Sequence, residues 1–313
     1  MFHVVSQLLK SIKRNKELFL LVLPGLLYIV IFNYIPMAGV VLAFKDYKVS
    51  QGIFGSRWVG LENFKNFFGS YYAFRVIRNA VVLNILGLVF SFPLPIILAL
   101  LLNEVRREWF KRIIQTITYF PHFISTVIIV GIVFAILSPD LSIGVLNQFL
   151  MKIFGLKSPI NFLAESRYFR TIYITIGIWQ GTGFGAIIYL AALSSVDPQL
   201  YEAAIIDGAN RLQLIRYISI PSILPTIVIL LILNISGLLR SGMETILLLY
   251  NPSTYEVADV IETFVFRRGI LGEGGLPDYS FATAVGFFQS LVGLLLIIIA
   301  NKMAKKLTDS SLW

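Results

Sequence analysis

The chain has 313 residues, of which 57% are hydrophobic and 14% charged, where an ordinary soluble domain carries about 25% charged residues. With no cysteine and two histidines, it cannot build a disulfide framework, a thiolate metal site, a thiol nucleophile or, unaided, a multi-histidine metal centre. The formal net charge of +9 sits at the ends of long apolar stretches and in short loops, where topology and anionic lipid explain it and no nucleic-acid partner is needed.

Recurrent long apolar segments make this an all-α, polytopic membrane protein. Residues 1–17 form a basic tail with Lys10, Lys13, Arg14 and Lys16, expected in the cytoplasm. A cleaved signal peptide is rejected, because the apolar stretch runs on from Leu18 to Phe44 without a clear small-residue cleavage site. That stretch is the first predicted span, with Pro24, Asn33 and Pro36 inside it, breakers that spans tolerate when neighbours satisfy the freed backbone. Residues 45–70 follow as an outer segment, where Trp58, Phe64, Phe67 and Phe68 interleave with charge in the manner of an interfacial helix or an aromatic anchor.

The second predicted span covers 77–102 and contains Asn79, Asn84, Pro93 and Pro95. The loop Asn103–Arg112 carries four basic residues and is read as inner. A third span is expected over 113–137, with Tyr119, Pro121 and His122 in its inner half. His122, without membrane carboxylate partners, reads as a buried packing or hydrogen-bonding residue rather than a proton relay. Leu146–Phe154 has the spacing of an interfacial helix in a second outer segment, 138–168.

The fourth span is expected over 169–193. Gly177, Gly181 and Gly185 recur every four residues there, a pattern suited to close helix packing in lipid, with Trp179 and Gln180 beside them. Residues 194–222 are then inner, and a fifth span is expected over 223–250 with Asn234, Ser236 and Gly237 at its middle. Arg240 and Glu244 are spaced to pair across one helical turn. A third outer segment, 251–279, holds Arg267, Arg268 and a turn at Gly272, Gly274 and Gly275. The sixth span, 280–300, is interrupted by Gln289 and Ser290 beside Phe287 and Phe288, and Lys302, Lys305 and Lys306 follow on the inner side. The expected organisation is a cytoplasmic tail 1–17, a first helix with its outer segment 18–70, a five-helix core 71–301 and a cytoplasmic tail 302–313. Lysine and arginine divide evenly between the two sides, so the orientation rests on the short inner loop and the tails.

Within 194–222, the run YEAAII turns at Asp207-Gly208 and resumes as RLQLIRYISI, ending at Pro221 and Pro225. Two short helices with a corner between them are expected, with Asn210 as N-cap of the second. The pattern Glu202-Ala203-Ala204, Asp207-Gly208-Ala209, Ile218, Pro221 and Pro225 resembles the EAA loop of the permease subunits of binding-protein-dependent, type I ABC importers. Tyr119–Ser125 and the run from Asp278 to Lys302 resemble the carbohydrate branch, and within it the permeases for oligosaccharides and polysaccharides. Leu212 and Ile215 stand where many such permeases carry aromatics.

The resemblance implies a six-helix permease whose EAA loop seats in a groove of a separate ATPase. The coupling residues would be Glu202, Ala203, Ala204, Asp207, Gly208, Ala209, Arg211 and Ile215. It further implies a second homologous six-helix permease, two ATPase subunits that bind ATP and Mg, an extracytoplasmic solute-binding protein, and a place in a bacterial cytoplasmic membrane with both termini inside. No glycine-rich phosphate loop occurs, so this chain is not its own ATPase. Nor does a nucleophile–base–acid pattern emerge, so no catalytic site is expected. Polarity and depth, together with the core architecture that the resemblance implies, point to Trp179, Gln180, Asn234, Phe288, Gln289 and Asn84 as residues lining a carbohydrate path. The alternatives are an ABC permease for a small sugar or other nutrient, an ion-coupled secondary transporter, for which the spans hold few carboxylates, and a scaffold subunit that moves no solute.

Overall fold

The computed structural model describes residues 14–273, 275–308 and 311–312; Lys10, Lys13 and Gly274 lie outside the described residues. Among these, five helices are long and apolar enough to cross a membrane: Lys16–Phe44 (span one), Ala73–Asn103 (span two), Ser166–Ser194 (span four), Arg211–Ser236 (span five) and Tyr279–Lys306 (span six). The pair Glu108–Phe123 and Thr126–Leu137, bent by 98° at its break, makes a sixth if counted as one broken span, span three. The one sheet among the described residues is a two-residue ladder pairing Lys45 with Trp58 and Asp46 with Arg57. The fold is all-α in every other respect.

Two ends of the bundle differ. One, here the loop-rich end, gathers residues 45–72, 138–165 and 237–278, which hydrogen-bond to one another and to the starts of spans: Tyr47 N donates to Ser280 Oγ, Asn251 Nδ2 to Leu163 O and Ser166 Oγ to Ser253 O. The other, the corner end, holds residues 104–107 and 195–210. The main core lies toward the loop-rich end. Phe67 and Phe264 meet at 6.5 Å, Phe67 and Phe281 at 6.1 Å, and Phe264 and Phe281 at 5.9 Å between ring centres. Such aromatic contacts add about 0.5–1.5 kcal/mol each beyond the area they bury. A second core of Ala99, Ala186, Tyr189, Leu193 and Ile223 joins spans two, four and five. Span one contributes little to either, and none of Lys16–Ile29 is buried within the chain.

A charged cluster fastens span two to the loop-rich end. The Asp259 side chain is fully buried and meets Arg75 at 3.0 Å and Arg267 at 2.8 Å. Thr263 Oγ1 donates to its Oδ1, and Asn79 Nδ2 donates to the Asp259 and Glu256 carbonyls. Burial depresses the Arg267 pKa, but its bonds to Asp259, Tyr250 and Glu273 outweigh that and hold it above the usual guanidinium range.

The structure departs from the expected spans at four points. Span three does not run straight over 113–137. Pro121 offers no N–H to continue a helix, and the Ser125 hydroxyl caps a new one by accepting from Ile128 N. Span five is Arg211–Ser236, not 223–250; neither Pro221 nor Pro225 stops it. A π-helical turn at Ile215–Ser219 precedes Pro221 and shifts the bonding register by one residue, where a missing N–H is easily absorbed. The helix ends at Gly237, and a break follows before Met243–Leu249 forms. Arg240 and Glu244 are therefore not one turn apart on a helix, and Arg240 Nη2 donates to Ser290 Oγ instead. His122 stacks flat on Phe184, 3.9 Å between ring centres, on an exposed face rather than a buried one.

Candidate functional site

The first candidate element is the corner between spans four and five. Asp197 caps the helix Pro198–Ile206 by accepting from Gln199 N at 2.9 Å. Asp207 ends that helix and Gly208 turns the chain with φ +85°, a left-handed geometry that costs a side chain about 1–2 kcal/mol. Asn210 then starts the next helix through a reciprocal box: its Oδ1 accepts from Gln213 N at 3.0 Å, and Gln213 Oε1 accepts from Asn210 N at 2.7 Å. The Tyr201 and Ser219 hydroxyls, 3.0 Å apart, tie the two helices together, and Ser219 is fully buried.

The outer side of this corner is apolar and open. Ile206 is 85% exposed and Leu212 77%, with Ile205 and Tyr217 beside them. Glu202, Ala203 and Arg211 are exposed as well. Ala204, Asp207, Gly208 and Ala209 face a small hollow of about 220 Å³, closed by Gln213, Leu214, Tyr217 and Ile218. Ile215 is half-buried at the start of the π turn. Exposed apolar patches of this kind mark contacts with another protein or with the membrane.

The second candidate is a pair of adjoining cavities between spans two, four and five. The larger, about 340 Å³, is lined by Asn84, Gly87, Ser91, Gly177, Gly181, Thr182, Tyr189 and Asn234, among others. The smaller, about 170 Å³, shares Asn84, Gly87, Ser91 and Gly177 and adds Tyr173, Gln180 and Thr245. Three of the six residues expected along a path, Asn84, Gln180 and Asn234, thus come together here. Trp179 lines neither cavity and lies exposed on another face of span four. Phe288 packs edge-on against Phe68 at 5.0 Å, and buried Gln289 donates to Leu239 O.

The polar groups of the cavities are only lightly committed. Asn234 Nδ2 donates to the carbonyl of Leu230 in its own helix, and Gln180 Nε2 reaches Ile124 O at 3.4 Å. Asn84 Nδ2 donates to Ala80 O and to Ser241 Oγ, and Tyr173 OH accepts from Gly242 N. Through these bonds the break after span five is pinned over the cavities. Sequence reasoning missed Ser91, Tyr173 and Tyr189, whose signal was faint. Ser91 stands between Gly87 and Pro93, where a π-helical turn, Gly87–Ser91, interrupts span two.

Residues 91–309, more than two thirds of the chain, match the family described as binding-protein-dependent transport system inner membrane component. The chain belongs to that family. This transport family member is 46% identical to protein LplB of Bacillus subtilis (strain 168), over 97% of this chain and 93% of that protein. It is 45% identical to the polygalacturonan/rhamnogalacturonan transport system permease protein YteP of the same organism, over 98% and 94%. A solved structure of a bacterial ABC transporter involved in the import of the acidic polysaccharide alginate contains a chain that superposes with a TM-score of 0.86 at 42% identity, covering 96% of this chain and 99% of that one. The fold is the ABC-importer permease fold. The chain is a multi-pass membrane permease that works within a multi-subunit ABC import complex.

Proposed function

We infer that this permease moves an oligosaccharide or polysaccharide across the bacterial cytoplasmic membrane. It works with a second, homologous permease, with solute delivered by an extracytoplasmic binding protein. The loop-rich end faces outward, both termini are cytoplasmic, and the corner 198–214 docks on one of two ATPase subunits that bind ATP and Mg. The observation that carries this reading is the continuity of the corner with span five. The exposed apolar corner, turned at Gly208 and capped at Asn210, runs without a break into the helix that presents Asn234 to the cavities. A relative named for polygalacturonan/rhamnogalacturonan transport and a solved transporter involved in import of the acidic polysaccharide alginate support the carbohydrate class.

Glu202, Ala203, Ala204, Asp207, Gly208, Ala209, Arg211 and Ile215 form or flank the docking surface; the alanines and the glycine allow close backbone approach. Asn84, Gln180 and Asn234 offer the amide donors and acceptors that sugar hydroxyls require. Trp179, Phe288 and Gln289 stand outside the two cavities and have no part in this version of the path. The test is purification of the chain in mild detergent with its associated subunits, followed by reconstitution and uptake of defined oligosaccharides. ATP-dependent uptake supports the reading. Uptake driven by an ion gradient without ATP overturns it.

A further inference from the structure

The four glycines of span four divide into two kinds. A side chain at Gly183 would run into the Thr118 carbonyl, and one at Gly185 would press on Pro95. These two let span four approach its neighbours. A side chain at Gly177 or Gly181 would meet nothing within 4 Å. Close packing, expected for the whole stripe, therefore accounts for Gly185 and not for Gly177 or Gly181. All three line the larger cavity, and Gly177 lines both, but only Gly177 and Gly181 face open space there.

The wall opposite is as unusual. Span two passes through its π-helical turn at Gly87–Ser91 at this level, and Gly87 and Ser91 line both cavities. Pro93 and Pro95 then follow, neither with an N–H to give to the carbonyls four residues earlier, those of Val89 and Ser91. Backbone left short of donors in a membrane occurs where protein buries it or where it lines a water-filled cavity. The polar side chains that line the cavities are all uncharged, with Asn84, Ser91, Thr182, Tyr189 and Asn234 in the larger and Gln180 in the smaller, and they alternate with apolar wall such as Leu88, Phe92, Ile188 and Leu230.

We propose that Gly177 and Gly181 hold open a hydrated segment of the solute path between spans two and four, and that their lack of a side chain sets the girth of what passes. Hydroxyl groups of the solute are read there by Ser91 and the neighbouring amides. This rests on the function proposed above and adds to it the residues that fix the width.

The chain has no cysteine, so a single introduced thiol reports on its own position. The reassembled complex, in membranes open on both sides, is treated with a membrane-impermeant trimethylammonium methanethiosulfonate. The thiolate attacks the reagent sulfur, forms a mixed disulfide and releases methanesulfinate; labelling is read by mass on this chain. Ser91→Cys and Gly181→Cys are compared with Ile187→Cys, on an exposed apolar position that lines neither cavity. A thiol kept from water titrates higher, and one unit of pKa is tenfold in thiolate, so the cavity positions should react at least about tenfold faster than Ile187→Cys. Adding Gly181→Leu to Ser91→Cys should cut its labelling by a similar factor while the complex stays assembled.

Cavity positions as unreactive as Ile187→Cys would mean that a neighbouring chain fills the groove, and would overturn the proposal. Undiminished labelling of Ser91→Cys beside Gly181→Leu would remove the claim that Gly181 sets the width. Rapid labelling in a complex that imports no carbohydrate would leave the hydrated segment standing and refute the substrate class.

Discussion

Arg267 grips Asp259 through two parallel bonds, Nη1 to Oδ1 at 2.8 Å and Nη2 to Oδ2 at 2.9 Å, with the carboxylate wholly buried. Arg75 of span two closes on the second oxygen at 3.0 Å. Removing the acid leaves Arg75 without a counter-charge and Arg267 with only the exposed Glu273, 2.7 Å from its Nε. Asp259→Ala should therefore destabilise the protein by about 3–5 kcal/mol, the cost of breaking a buried pair. The check is thermal unfolding of the detergent-purified complex, with membrane abundance measured in parallel. An unchanged midpoint would mean that water enters the cluster.

The left-handed turn at Gly208 should resist any side chain. Gly208→Ala should weaken docking of the corner and lower the amount of solute moved per ATP hydrolysed, whereas Gly208→Asn, better tolerated at positive φ, should fall between that and the parent. Parallel uptake and phosphate-release measurements on the reconstituted complex give the ratio. Equal ratios in all three proteins would take Gly208 out of the coupling role.

Asn210→Ala removes one half of the capping box and should cost about 1 kcal/mol of local helix stability. Asn210→Asp keeps the acceptor and should restore most of it. Hydrogen exchange over residues 207–216 reads this directly, and recovery of the ATPase on co-purification reads its consequence. If the alanine variant exchanges no faster than the parent, the box is ornamental to the corner.

The two kinds of glycine in span four should part company on substitution. Gly183→Ala sets a methyl against the Thr118 carbonyl and should lower the amount of folded protein in the membrane, whereas Gly177→Ala meets open space and should not. Quantitative blotting of membranes, normalised to transcript, distinguishes them. Equal abundance would mean that spans three and four slide apart at little cost.

The general architecture could be read from the chain because lipid makes it legible: apolar runs of span length, polar loops and few charges leave few alternatives. The corner was legible for a different reason. Asp207-Gly208 and Asn210 act locally, through one backbone geometry and one cap, and need no distant partner. What could not be read depends on register and contact. Pro221 and Pro225 look like stops until a π-helical turn just before them shifts the bonding pattern. Pro121 looks like another tolerated breaker, yet with Ser125 as a cap it splits span three. Spacing alone makes Gly177, Gly181 and Gly185 equivalent. Only the neighbours across the gap, Pro95 in one case and empty space in the others, tell them apart. Arg240 and Glu244 were paired by counting residues along a helix that ends at Ser236.

Span five begins at the corner and ends beside the cavities as one helix of 26 residues, a rod of about 39 Å at 1.5 Å per residue. Tyr201 and Ser219 clamp the preceding short helix to its base. Such a rod transmits tilt rather than compression: turning its foot by about 10° sweeps Asn234, roughly 35 Å along the axis, sideways by about 6 Å. The chain thus carries a lever whose short arm lies in the solvent-facing corner and whose long arm ends at a carboxamide in the cavity wall. A displacement smaller than a hydrogen bond at one end becomes wider than a water molecule at the other.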